Sequence, residues 1–304
     1  MTAKEINQAA LENLKKQDWQ SAQKLFFENA RKNPSHKTYN NLGVFLITEG
    51  LTCRNGTSRN ATKLGLKYLL KAAETEDTEI NLCALVMALD YELRTAKTSD
   101  KDRVCRQSFE YLTKSLEIEY SYENQYNLLR ILCLINQSEF DILERVRNFV
   151  KKFPFKESAC LYLELLRING YREEGLRCIE DYKEYLDDLD LLMFYARVGL
   201  FQDGYALCDI VLREFAADKF IASAIIECCV NTNHLFEARR YAKKIEDMEE
   251  SVIYCGKEKW CKHVFSSLNT STEYRKEKII DYSSVPPMID RCCYFGCPIH
   301  NVDW

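Results

Sequence analysis

Only ten glycines and five prolines occur among 304 residues, so the chain has few of the residues that punctuate strands and tight turns, and a β-rich fold is disfavoured. No stretch approaches about 18 uncharged apolar residues, which argues against a membrane span. The N-terminal MTAKEINQAALENLKKQDW is charged every few residues and has no apolar core of signal-peptide length, which predicts a soluble protein retained in the cytoplasm, with no membrane partner. An excess of basic residues is also missing. Lys and Arg number 42 against 46 Asp and Glu, a formal net charge of -4, whereas a surface that neutralises phosphates needs the opposite balance. Nucleic acid is therefore not an expected partner.

Catalytic signatures are absent too. The chain has no glycine-rich phosphate loop, no HExxH and no GxSxG. With four histidines, a general base is limited to His36, His234, His263, His300 or a carboxylate. His36 and His234 fall in expected turns beside polar residues, where a solvated or capping role fits best. A non-catalytic protein is expected.

What is abundant is apolar: 46% of residues are hydrophobic, and 14 are cysteine. Nine of those cysteines precede residue 230 and lie among apolar residues at helical spacing, as at Cys83, Cys133, Cys160, Cys208 and Cys228. They read as small core residues in a reducing compartment rather than as a disulfide framework.

The apolar residues recur in register. Ala22, Phe26 and Asn29 step by four and three before Pro34, and Tyr39, Leu42, Gly43 and Leu46 mark one face of a following helix. Tyr126, Leu129 and Cys133, then Ile142, Val146 and Phe149, repeat the scheme and stop at Pro154. Another copy runs from Leu163 through Gly170 to Gly175 and Ile179, and a further one from Leu191, Leu192 and Tyr195 through Gly199 to Gly204, Cys208 and Val211. Ala238, Ala242 and Ile245 stand 34 residues beyond those last three. A small residue at each such place suits the crossing of two helices, whose axes approach to about 8–10 Å.

On these residues the chain resembles the tetratricopeptide repeat family, whose unit is a helix-turn-helix of 34 residues. The resemblance covers about residues 3 to 250. Two copies are similar to the Sel1-like variant, with a longer loop between the helices: one has its loop after Gly50, and the other, from Asp77 to Glu119, has TAKTSDKD. The resemblance implies an all-α, right-handed superhelical solenoid of about seven antiparallel helix pairs plus a last helix near Glu250 to Leu268. It also implies a role in binding a protein or peptide on a concave face lined by the first helices. Asn40, Asn41, Asn127 and Arg130 lie on such helices and are the candidate peptide-binding residues. Family members that grip a C-terminal carboxylate do so with Lys, Asn and Arg; Asn41 matches one such place, and Asn7 and Leu11 stand where that clamp has Lys and Asn.

Residues 1–268 thus read as the repeat domain and 269–304 as an extended tail. The tail begins polar and proline-broken, then becomes RCCYFGCPIHNVDW, too apolar to stay in water. Burial on the chain's own superhelix is the preferred reading, with the tail then competing for the peptide groove; burial on a partner is the alternative. No cofactor is required. A second reading takes Cys297 and His300 with Cys292, Cys293 or both as zinc ligands, a fourth coming from the second vicinal cysteine or from Cys255, Cys261 or His263, and makes the protein a zinc- or thiol-dependent sensor.

Overall fold

The structure, a computed structural model, describes residues 1–49, 58–95, 98–135, 140–214, 219–246 and 285–304. Within them lie fourteen α-helices and no strand, the helix number that seven pairs require. The fold is an all-α helical repeat. It divides into two compact units, one of residues 1–137 with 281–283 and 287–304, the other of residues 138–280 with 284–286.

The first unit contains α1 (Ala3–Lys15), α2 (Trp19–Lys32), α3 (His36–Thr48), α4 (Ser58–Thr75), α5 (Glu79–Thr95), α6 (Thr98–Ile118) and α7 (Tyr122–Ile135). Local chemistry sets the boundaries. Thr2 and Ser35 each accept a hydrogen bond from the third backbone N–H of the helix they open, and a side chain in that first turn returns the bond. α2 stops at Lys32 because Pro34 disfavours helical geometry at the residue before it. Gly43 of α3 and Gly65 of α4 let these two helices nearly touch: a Cβ on Gly43 would sit 2.6 Å from the Leu69 side chain, and one on Gly65 would sit 2.9 Å from Ile47.

Within this unit each helix packs on the next along the chain, and α3 also packs on α5, so first helices form an inner layer. α3 and α5 are buried around nearly their whole circumference, with Leu42, Phe45, Ile47, Leu82, Ala84 and Leu85 at 0% exposure. A helix so enclosed must be covered on its inner side as well as on the side facing its pair.

The second unit contains α8 (Phe140–Lys152), α9 (Lys156–Asn169), α10 (Arg172–Tyr182), α11 (Asp188–Val198), α12 (Phe201–Glu214), α13 (Lys219–Asn231) and α14 (Leu235–Glu246). Gly170 and Gly199 end α9 and α11 in the left-handed conformation, at φ 80° and 76°. Gly204 has the predicted crossing role: a Cβ there would meet Cys228 Sγ at 2.6 Å. Ile225, Cys228, Cys229, Val211 and Ala238 fill the core around it, and a hydrogen bond with Cys228, with burial adding to it, pushes the Cys208 thiol up to about 12.

Two local expectations change. The polar loop expected over Thr95–Asp102 is mostly helix, because α6 starts at Thr98 with Asp100 in its first turn, where a carboxylate favours a helix N-terminus. His36 is not solvated: it is the first residue of α3 and is buried, with Nε2 3.1 Å from Glu76. The loop after Gly50, the expected last helix at 250–268 with Cys255, Cys261 and His263, and the connector up to residue 284 lie outside the described residues. Among the described residues, no helix is long and apolar enough to cross a membrane.

Candidate functional site

The inner side of the first unit's first helices is lined by carboxamides. Asn7 of α1 and Asn41 of α3 are 34 residues apart and occupy matching places, and the Nδ2 of Asn41 donates to the Oδ1 of Asn7 at 2.7 Å. Asn40 precedes Asn41, and Asn127 occupies a comparable inner place on α7. Asn7, Asn40 and Asn41 are at most 1% exposed and Asn127 4%, so their amides must find partners inside the protein.

Those partners are the backbone of residues 287–304. Asn41 holds both peptide groups of Phe295: its Oδ1 accepts from the Phe295 N–H at 2.8 Å, and its Nδ2 donates to the Phe295 carbonyl at 2.9 Å. Asn127 does the same to Ile289, accepting from its N–H at 2.9 Å and donating to its carbonyl at 3.0 Å. A carboxamide has one acceptor and a donor group side by side, which is why it can match the N–H and C=O of a single residue. Asn40 donates to the Cys293 carbonyl at 2.6 Å, Asn7 adds a second donor to the Phe295 carbonyl at 2.9 Å, and the Tyr126 hydroxyl donates to the Pro287 carbonyl at 3.2 Å. Each clasped unit is an internal peptide group of the chain.

Side chains lock into the spaces between these contacts. Arg291 forms an ion pair with Glu79, the first residue of α5. Tyr294 stacks on Phe26, with ring centroids 5.9 Å apart, and its hydroxyl lies 3.2 Å from that of Thr48. The Phe295 ring meets the edge of His36 at 5.2 Å, and burial holds the His36 imidazole below its ordinary value. Cys293 joins the core of Leu82, Cys83, Leu85 and Met87. A cavity of about 10 Å³ lies between α5, α7 and residues 288–293, room for a single water.

Arg130 stands apart from this set in what it touches. It is 1% exposed, and its Nη1 lies 3.0 Å from Asp90 Oδ1, a buried ion pair that ties α7 to α5. Glu79, Tyr126 and His36 carried no signal as contact residues in the sequence, whereas Asn7, 34 residues before Asn41, stood at a clamp position without counting among the peptide-binding candidates.

The tail ends in a turn. Cys297 N–H donates to the Tyr294 carbonyl at 3.3 Å, with Gly296 at φ 73°, the sign a type II turn needs at its third residue. A side chain at Gly296 would collide with the Asn7 amide at 2.9 Å. The turn brings Cys292, Cys297 and His300 together: two Sγ atoms and a ring nitrogen lie within 4.8 Å of one another. Cys293 is not in this group. It faces the opposite side, where its Sγ lies 3.5 Å from the Arg291 carbonyl. Burial pushes the Cys292 thiol up to about 11 and holds the Cys293 thiol well above its ordinary value, so neither is a ready thiolate at neutral pH.

No protein-family model and no curated protein matches this chain. Among solved structures, the chain is similar to a tetratricopeptide repeat protein from Parabacteroides merdae, with a TM-score of 0.63 and 15% identity, covering 88% of this chain and 99% of that one. At that identity the likeness is one of fold.

Proposed function

We propose that this chain is a non-catalytic protein-interaction scaffold whose first unit takes an extended peptide by its backbone, in a groove that the chain's own C-terminal segment occupies. The observation that carries the reading is the pair of two-way clasps, Asn41 on Phe295 and Asn127 on Ile289. Amides on two of the first helices, α3 and α7, that each bind one peptide unit recognise a main chain and leave its side chains free to supply selectivity. A competing peptide is expected to carry a cation to pair with Glu79 and, three residues on, an aromatic ring for the space beside Phe26 and Thr48, as Arg291 and Tyr294 do.

The reading is tested by making the tail separable. A protease site placed within residues 269–284 is cut in the folded protein, and a fluorescent peptide of residues 287–304 is added. The uncut chain is expected to exclude the peptide, because the tethered tail has a high effective concentration, while the cut chain exchanges its tail for the labelled copy and stays helical. Failure to exchange, or loss of helix on cutting, would make the segment a permanent part of the core.

A further inference from the structure

The turn that closes the tail presents a cluster on the side away from the groove. Cys292 comes just before it and Cys297 just after, and the Val302 N–H returns to the Cys297 carbonyl at 3.3 Å, which folds His300 back over the turn. Cys297 Sγ is 3.3 Å from His300 Nδ1. A tetrahedral zinc with bonds of about 2.3 Å to sulfur and 2.0–2.1 Å to nitrogen holds its ligand atoms about 3.6–3.8 Å apart, so the three atoms need shifts of about an ångström to fit. Cys297 is buried, Cys292 is half-buried and His300 is exposed, an arrangement that gives an ion a firm base and an entry path.

We propose that Cys292, Cys297 and His300 form a zinc site with three protein ligands and a fourth position open to solvent, and that the adjacent Cys293 is not a ligand. Two thiols and an imidazole favour zinc over magnesium or calcium, which take oxygen ligands. Binding releases the thiol protons to solvent as the metal–sulfur bonds form, so no oxidant or reductant is needed. The vicinal cysteines divide by position alone: in a non-helical chain, neighbouring residues point to opposite sides, which sends Cys293 into the core of the first unit and Cys292 out toward the turn. The site does not depend on whether the tail can leave the groove.

Cobalt(II) is the probe, since its thiolate charge-transfer band and tetrahedral visible bands count and identify ligands. Full-length reduced protein is titrated with Co²⁺, then with Zn²⁺ in competition. One Co²⁺ per chain with a thiolate band is expected, displaced by Zn²⁺. Affinity is expected to fall at least about tenfold in Cys292→Ser, Cys297→Ser and His300→Ala, and to be unchanged in Cys293→Ser. His300 is exposed, so His300→Ala keeps the test decisive should Cys297→Ser disturb folding. Absence of a thiolate band, a band that survives all three substitutions, or equal loss in Cys293→Ser would overturn the assignment. None of these outcomes bears on peptide exchange in the cut chain, so the two readings fail separately.

Discussion

Asn127 and Arg130 lie one turn apart on α7, yet they work in different ways. Asn127 makes its two bonds to the backbone of Ile289, so it acts on whatever segment fills the groove. Arg130 bonds Asp90 in a site where both side chains are at most 4% exposed, so it acts on the stability of the unit. Removing one member of a buried ion pair leaves the other charge desolvated, which typically costs about 3–5 kcal/mol. Asp90→Ala is therefore expected to lower the unfolding free energy of the first unit by an amount in that range, measured by urea unfolding of the full chain. A change below about 1 kcal/mol would show that the pair is not buried in this way. From the sequence, Arg130 and the three asparagines looked alike, as polar residues on first helices. What separates them is the partner, and the 40 residues between Arg130 and Asp90 hide it.

Among the helices, spacing carried much of the information. Proline at 34 and 154, and the small residues at helix crossings, follow from steric rules that act within a few residues or between adjacent helices, so they are legible in one dimension. Gly43 is the sharpest case, because the Leu69 side chain leaves no space for a Cβ. Gly43→Val is expected to force α3 and α4 apart and cost about 1–3 kcal/mol, read from the thermal or urea midpoint, whereas full stability in that variant would refute the close crossing. The α5–α6 loop was misread because TSDKD is polar enough for a loop and also well suited to the acidic first turn of a helix. α3 and α5 held a clue that periodicity alone does not interpret. Their sequences, YNNLGVFLI and NLCALVMAL, are apolar nearly all round, and such a helix needs cover on its groove side.

At the scale of the whole molecule, the segment from Pro287 to Trp304 supplies that cover in the first unit. Its apolar composition foretold burial, but not its register: only the structure pairs Ile289 with Asn127 and Phe295 with Asn41, across 162 and 254 residues. The division of Cys292 from Cys293 was equally hidden, since it depends on which side of the docked chain each residue faces. Two asparagines hold two tail residues by their backbones, independently of one another. Hydrogen exchange of the Ile289 and Phe295 amides in the intact protein tests this most directly. Both amides are expected to be protected. Asn41→Ala should speed exchange about fivefold or more at Phe295 and much less at Ile289, and Asn127→Ala should do the reverse, as the loss of about 1–3 kcal/mol at one buried amide requires. Unprotected amides in the unaltered chain, or equal acceleration at both positions from either substitution, would contradict it.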